Sequence, residues 1–345
     1  MPSSEPGRKA RLSDVATQAG VSEATVSRVL NGKPGVGAST RQAVLIALDV
    51  LGYERPSQLR TKSAGLVGLV VPELENPIFP AFAQAIESML AQRGYTPVLC
   101  TQTPGGVSED EYVDMLLARG VSGIIFISGL HADSSVDQGR YQTLIDQGLP
   151  VVMVNGFTEA FAAPFISTDD RVAMRLAVTH LEALGHRRIG LAIGPTRYIV
   201  AQRKVDGFVA AMQERAGVSQ AEAENLVARS MFTVEGGHAA AVRLMADQEV
   251  TAVICGSDLM ALGVVRAVRA GGGQVPGDVS VIGFDDSPLI SFTDPPLTTV
   301  RQPVVAMSQA AVQALADEIA GHEYPKGEYL YTPELVVRGS TGAAP

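Results

Sequence analysis

The chain has 345 residues, of which 46% are hydrophobic and 18% charged, and its net charge at pH 7 is −9. This length is sufficient for two or three domains with a sizeable core. No apolar run approaches the roughly 18 residues of a membrane-spanning helix, and the N-terminal residues lack the apolar core of a secretory signal.

The charge is unevenly distributed along the chain. Residues 1–65 contain nine Lys and Arg against five Asp and Glu, a net of +4, so the remaining residues carry −13. A basic head on an acidic body indicates that the head alone contacts phosphate groups. The two cysteines, Cys100 and Cys255, are far apart in sequence, which favours a reducing compartment over a disulfide framework. We therefore expect a cytoplasmic protein.

Residues 12–31 predict two short helices joined by a tight turn. Ser13 is predicted to cap the first helix and Ser22 the second, because their hydroxyls can accept hydrogen bonds from unpaired backbone N–H groups. Gly20 lies at the turn, where a left-handed backbone is tolerated without cost. Apolar residues recur at helical spacing in both segments: Val15, Ala16, Ala19, Val26, Val29 and Leu30.

The second helix has an outward face of small or polar residues, which suits a helix lying in the major groove of DNA. This face consists of Glu23, Ala24, Thr25, Ser27 and Arg28. A third helix is predicted from about Ser39 to Leu51, with Val44, Leu48 and Leu51 turned inward and Gly52 ending it. An ordinary helical hairpin is the alternative, but the two caps, the glycine turn and the segment T-V-S-R-V-L-N together favour DNA binding.

From residue 66 onward, short apolar runs alternate with amphipathic stretches, which predicts buried parallel strands with helices on both faces of the sheet. The predicted strands are residues 66–71, 97–100, 123–127, 151–154, 188–193, 251–255 and 279–284. The predicted helices lie near 80–93, 108–119, 140–147, 170–184, 201–215, 236–247 and 258–270. These strands are too many for one sheet, so we predict an α/β body of two similar lobes with a cleft between them.

Polar and aromatic residues follow several strand ends, where ligands of parallel sheets bind. They are Asn76, Phe79, Asn155, Asp169, Asp170, Asp258, Asp285 and Asp286. Carboxylates and amides that accept hydroxyl protons, together with an aromatic face for the C–H groups, suit a polyhydroxylated ligand. For Asp170 and Asp258 alone, a helix N-cap is the simpler interpretation.

These motifs resemble the lactose-repressor (LacI/GalR) family of bacterial transcriptional regulators over nearly the whole chain. The likeness is carried by the helix-turn-helix, by L-G-Y at 51–53 and by three segments of the body, P-E-L-E-N-P-I-F-P, F-D-D-S-P-L-I and T-D-P-P-L-T-T-V-R-Q-P. Within the family, the body segments are similar to actinobacterial regulators of maltose and related oligosaccharide use. The resemblance implies a repressor that binds a pseudo-palindromic operator as a homodimer and is released by a sugar, a glucoside in this case.

The resemblance also assigns roles to residues. It implies operator contact by the helix-turn-helix, with Arg28 bonded to guanine; the predicted set is Leu12, Ser13, Ser22, Glu23, Ala24, Thr25, Ser27, Arg28, Asn31 and Leu59. It implies effector contact by Asn76, Phe79, Asn155, Arg203, Lys204, Phe232, Asp258 and Asp285. Two positions depart from the family: Lys204 stands where Arg is common, and Ser257 where Asn is usual.

The predicted domains are a helix-turn-helix head at 10–55, a hinge at 56–65 and an effector-binding and dimerisation body at 66–345. We assign residues 66–160 and 297–325 to the first lobe, and residues 161–296 and 326–340 to the second. Pro56 and Ser57 could begin a short hinge helix that places Leu59 in the minor groove as an apolar wedge. This segment is too short to be helical alone, and it has about four residues fewer than in the family, so a plain tether is the alternative.

Two other classes of protein share such a body. An extracytoplasmic sugar-binding protein would lack the basic helical head. A glycosidase-like enzyme would use the clustered acids, but the chain has no nucleotide-binding glycine motif and no G-x-S-x-G nucleophile motif. We predict a regulator with no catalytic activity, no cofactor and no metal.

Overall fold

The computed structural model describes residues 10–30, 33, 35–53, 64–102 and 105–345. The chain divides between Ala64 and Gly65 into a small head and a larger body. Asn31, Leu59 and nearly all of the predicted hinge lie outside the described residues.

The head contains three helices, α1 (Leu12–Ala19), α2 (Glu23–Leu30) and α3 (Ala38–Val50). Gly20 ends α1 with a left-handed backbone (φ +65°), and the N–H of Val21 donates to the carbonyl of Ala16 at 3.0 Å. The apolar stripes of the three helices meet in one small core, formed by Val15, Ala16, Val26, Val29, Val44 and Ala47.

The two predicted caps of the head have different outcomes. Ser22 caps α2, since its Oγ accepts from the N–H of Thr25 at 3.2 Å. The prediction for Ser13 is wrong, because this residue lies inside α1. The helix starts one residue earlier, at Leu12. The Asp14 carboxylate accepts a hydrogen bond from the backbone N–H of Arg11, the residue before the helix, at 2.7 Å.

The first lobe of the body is built on a sheet with strand order β11-β5-β4-β3-β1-β2, in which all pairs are parallel. Its strands are β1 (Gly65–Val71), β2 (Tyr95–Thr101), β3 (Gly123–Ile127), β4 (Val151–Val154), β5 (Pro164–Thr168) and β11 (Gly327–Tyr331). Helices cover both faces: α4 (Ile78–Gln92) and α12 (Val304–Ile319) on one, α5 (Glu109–Ala118) and α6 (Gly139–Asp146) on the other.

The second lobe has the strand order β12-β10-β9-β8-β6-β7, and β12 is antiparallel to its neighbour β10. Its strands are β6 (Ile189–Ile193), β7 (Val227–Arg229), β8 (Ala252–Cys255), β9 (Ser280–Asp285), β10 (Thr298–Arg301) and β12 (Glu334–Val336). The helices are α7 (Asp170–Ala183), α8 (Ile199–Ala216), α9 (Gln220–Asn225), α10 (Val234–Gln248) and α11 (Asp258–Ala270). Their apolar faces and the strands form a single continuous core.

The two parallel-sheet lobes confirm the predicted fold class, but three strands lie in the other lobe from the one predicted. β5 pairs with β4, and β11 pairs with β5, so both belong to the first lobe. β10 pairs with β9 and belongs to the second lobe. The chain therefore crosses between the lobes just after these strands, at 168–170, 301–304 and 331–334. The lobe to which a strand belongs depends on the strand with which it pairs, and the pattern of apolar residues along the sequence does not show which strands pair.

The described helices include none with the length and hydropathy that a bilayer crossing requires.

Candidate functional site

The outward face of α2 in the head carries the residues predicted to contact DNA. Ser22, Glu23, Ala24 and Arg28 are exposed, while Thr25 and Ser27 are half-buried. In α1, Ser13 is exposed and Leu12 packs against the head core. A short helix that begins at a serine cap and presents small side chains around one arginine has the shape of a major-groove reader.

The body contains a cavity of about 410 Å³ between its two lobes, at the carboxyl ends of the strands. This volume lies within the range of small-molecule sites. Six of the eight predicted effector residues line it: Asn76, Phe79, Asn155, Lys204, Phe232 and Asp285. The strand ends therefore bring together side chains that are up to 209 positions apart in the sequence, as predicted.

Asn155 is a buried amide of the first lobe that lines the cavity. Its backbone is left-handed (φ +61°), its Oδ1 accepts from the N–H of Thr168 at 3.3 Å, and its carbonyl oxygen lies 2.6 Å from Nε2 of His131. A carbonyl can only accept, so Nε2 of His131 carries the proton and donates. Burial lowers the pKa of His131 to about 4, so the ring is neutral at pH 7 and holds Asn155 in place.

Lys204 and Asp170 form a buried ion pair on the second-lobe side of the cavity. Nζ lies 2.6 Å from the Asp170 carboxylate and 4.0 Å from the centre of the Phe284 ring. Both charged residues are 5% exposed. Burial raises the pKa of Asp170, and the ammonium group opposes this shift. The charge of Lys204 is therefore already neutralised within the protein, by Asp170.

Asp285 lies at the end of β9 in a strained turn, since Asp285 and Asp286 have φ values of +116° and +59°. Its Oδ1 accepts from Gln302 Nε2 at 2.7 Å, and the Gln302 oxygen accepts from Thr168 Oγ1 at 2.8 Å. Burial, with the nearby charge of Asp258, raises the pKa of Asp285. This chain of hydrogen bonds joins the two lobes along the lining of the cavity.

Two aromatic rings from the second lobe, Tyr198 and Phe232, face the cavity with their centres 6.3 Å apart. Phe232 lies directly over Gly194, where an added Cβ would stand 1.9 Å from the ring. The glycine is thus required for the ring position. Phe79 adds an aromatic face from the first lobe.

Arg203 and Asp258 are predicted effector residues that the structure places outside the cavity lining. Arg203 pairs with Glu328, because consecutive helical residues point about 100° apart and Lys204 occupies the inward position. Asp258 accepts from the N–H of Ser287 and from Thr299 Oγ1, both at 2.7 Å, so it ties β10 to the turn after β9.

The N-cap interpretation is wrong for both Asp170 and Asp258. The caps are the preceding residues: Asp169 accepts from Val172 N at 3.0 Å, and Ser257 from Met260 N at 3.3 Å. Asp170 lines the cavity instead.

Sequence reasoning missed several lining residues, among them Glu73, Gln102, Thr168, Arg197, Tyr198 and Gln302. Gln102 and Arg197 follow β2 and β6 closely, so the strand-end rule could have found them. Gln302 lies where the chain crosses between the lobes, and no sequence signal marks it. Among the described residues, no group of His, Cys, Asp and Glu side chains is arranged to hold a metal ion.

Comparison with known proteins agrees with this architecture. Residues 11–56 match the model of bacterial regulatory proteins of the lacI family, and residues 178–341 match a periplasmic binding protein-like domain. The chain is 63% identical to the HTH-type transcriptional regulator MalR of Streptomyces coelicolor over 97% of each protein. The chain belongs to the LacI family.

Two solved structures of transcriptional regulators are similar over almost the full chain. The transcriptional regulator CelR in complex with cellobiose has a TM-score of 0.69 and 32% identity, covering 96% of this chain and all of that one. The lac repressor dimer bound to operator and the anti-inducer ONPF has a TM-score of 0.70 and 29% identity, covering 97% of this chain and all of that one.

Membership of the LacI family confirms the predicted class of protein. The chain is a helix-turn-helix transcriptional regulator, and its relatives are named as regulators and not as enzymes. The predicted residue contacts with DNA and effector stay predictions.

Proposed function

We propose that this protein is a cytoplasmic repressor of carbohydrate-utilisation genes, which binds a pseudo-palindromic operator as a homodimer and leaves it when a neutral sugar occupies the cavity between the lobes. Maltose or a related glucoside is the first candidate. The lac repressor dimer on its operator and the CelR–cellobiose complex support this mode of action. The two buried, unpaired cysteines support a reducing compartment.

The charge pattern of the cavity carries the proposal. Among the described lining residues the cationic side chains are Arg197 and Lys204, and each is paired with a carboxylate: Arg197 with Asp133 at 3.0 Å and Lys204 with Asp170 at 2.6 Å. Charge-assisted hydrogen bonds from Arg or Lys are the strong contacts for a phosphate group, and both cations of the lining are already paired. The aromatic faces of Phe79, Tyr198 and Phe232 suit the C–H faces of sugar rings. The arrangement favours an uncharged sugar of one or two rings.

A ligand titration tests the effector. We expect a neutral glucoside to raise the melting temperature of the full chain and to bind in calorimetry, whereas the corresponding sugar phosphate leaves both unchanged. An operator selected from random duplexes is then titrated with and without the sugar. Coupling energies of about 1–3 kcal/mol predict a loss of operator affinity of roughly 5–150-fold. Tight binding of the sugar phosphate, or an operator affinity insensitive to the bound sugar, would contradict the proposal.

Arg28 is expected to read a guanine in the operator. Replacing it with alanine should reduce the preference for the selected operator over a duplex changed at that base pair by about 1–3 kcal/mol, since a bidentate arginine–guanine contact contributes this much discrimination. Competition gel shifts at constant salt measure the preference. Arg41→Ala, in α3 of the same head, is the control and should leave the preference unchanged. Equal discrimination by the Arg28→Ala protein and the wild type would refute this role.

A further inference from the structure

Arg203 lies on α8 of the second lobe and reaches across to the first lobe. Its two terminal nitrogens bond the two carboxylate oxygens of Glu328 in β11, at 2.5 and 3.1 Å. The guanidinium carbon also lies 5.7 Å from the centre of the Phe157 ring, in the segment between β4 and β5. One side chain thus makes a forked ion pair and a cation–π contact with two separate parts of the other lobe.

This contact is shielded from water more than most ion pairs on the surface. The Arg203 side chain is 29% exposed and that of Glu328 is 15% exposed. A planar guanidinium that meets a carboxylate through two parallel hydrogen bonds is also held in a defined orientation. An exposed pair contributes little because water and salt screen it, and the partly buried pair of Arg203 and Glu328 is screened less.

A second contact between the lobes lies just before α8. Arg197 Nε pairs with Asp133 of the first lobe at 3.0 Å, and the Arg197 carbonyl accepts from Ser134 N at 2.8 Å. Arg197 lines the cavity, and so does Lys204, the residue that follows Arg203. The start of α8 is therefore attached to the first lobe at two points, through Arg197, which lines the cavity, and through Arg203, which is next to the cavity residue Lys204.

We propose that Arg203 is a positioning residue that sets effector affinity without touching the effector. Its ion pair with Glu328 and its contact with Phe157 hold α8 against the first lobe, and this keeps Lys204 and the second-lobe wall at the distance from the first-lobe wall that the bound sugar requires. Without this contact, binding energy from the sugar has to bring the lobes together. The inference depends on the proposed sugar effector.

Calorimetric titration of the full-length protein with maltose, the first candidate effector, tests this role. We expect Glu328→Gln and Arg203→Lys to weaken sugar binding by about tenfold, because the forked contact of a partly buried pair is lost. A charge exchange, Arg203→Glu with Glu328→Arg, should return the dissociation constant to within about threefold of the wild type, since the opposite charges face each other again.

Arg187→Ala is the matched control. Arg187 pairs with Glu182 at 2.7 Å, but both residues belong to the second lobe. The dissociation constant of the Arg187→Ala protein for the sugar should equal that of the wild type. Melting temperatures without sugar are measured for every variant, because a purely structural ion pair would lower the melting temperature and leave the affinity for the sugar unchanged.

The outcomes separate this inference from the function on which it depends. Wild-type affinity in both Glu328→Gln and Arg203→Lys would overturn the inference and leave the proposed sugar effector intact. A wild-type protein that binds no neutral sugar would overturn both. Weakened binding in the single variants that the charge exchange does not restore would show that Arg203 and Glu328 do not act as a pair, which also overturns the inference.

Discussion

Replacing Lys204 with methionine is expected to destabilise the folded body by about 3–5 kcal/mol at pH 7, the usual cost of leaving one partner of a buried ion pair uncompensated. The Asp170 carboxylate would lose the ammonium group 2.6 Å away and would remain buried. The same ammonium group offsets the charge of Asp285, so the loss affects two carboxylates. Chemical denaturation followed by circular dichroism measures the change.

Two further variants establish that the charge, and not the shape, is responsible. The double variant Lys204→Met with Asp170→Asn should recover most of the lost stability, because the carboxylate nearest to the lost ammonium group, 2.6 Å away, is then neutral. Lys326→Met is the control: Lys326 pairs with Glu318 on the surface of the first lobe and is 40% exposed, so its loss should cost less than about 1 kcal/mol. A Lys204→Met protein as stable as Lys326→Met would show that the buried pair adds nothing to stability.

The destabilisation by Lys204→Met should also depend on pH. Without the ammonium group, burial raises the pKa of Asp170 further above its value in the unfolded chain. The folded variant then binds the Asp170 proton more tightly than the unfolded chain does. The stability of the variant therefore falls as pH rises from the unfolded-state pKa of Asp170 through its folded-state pKa, and acidification partly restores it. The difference between wild type and variant should accordingly be smaller at pH 5 than at pH 7.

Because of His131, the folded protein is expected to lose about 3 kcal/mol of stability on acidification from pH 7 to about pH 4. Burial lowers its pKa from 6.5 to about 4 in the folded protein. Between these values the unfolded chain binds a proton that the folded protein does not bind, so stability falls as pH decreases from 6.5 towards 4. His131→Gln removes this titration and retains a donor for the Asn155 carbonyl.

The measurement compares unfolding free energies of wild type and His131→Gln at several pH values between 7 and 4. The wild type should lose more stability than the variant on acidification. Other groups with shifted pKa values, including His180, His186 and the neighbouring Glu109, are present in both proteins and cancel in the difference. His322→Gln, at an exposed position, is the control and should follow the wild type. Parallel pH profiles for wild type and His131→Gln would contradict the prediction.

The head illustrates how far local signals extend. Its helices, the Gly20 turn and the Ser22 cap depend on residues within four positions of one another, so periodicity and capping chemistry predict them. The error at Ser13 is equally local. Ser13 and Asp14 are neighbours at the start of α1, and it is the Asp14 carboxylate that accepts the hydrogen bond from the Arg11 N–H.

The cavity was predictable only in part. Parallel strands place their carboxyl ends at one edge, which is why Asn76, Asn155 and Asp285 were found from sequence. Arg203 was misplaced because a shift of one position along α8 rotates a side chain by about 100°. Asp258 was misplaced because its partners, Ser287 and Thr299, come from segments that only folding brings to it.

The family, the helix-turn-helix, the α/β class of the body and most strand and helix bounds can be predicted from the amino-acid sequence, because each of these depends on near neighbours or on motif spacing. Tertiary structure decided which lobe holds β5, β10 and β11, which carboxylate pairs with Lys204, and which residues join the lobes. These properties depend on contacts between residues far apart in the chain, such as Arg203 and Glu328, which lie 125 positions apart. A linear pattern carries no record of such pairs, and the packing of two lobes around a cavity selects them.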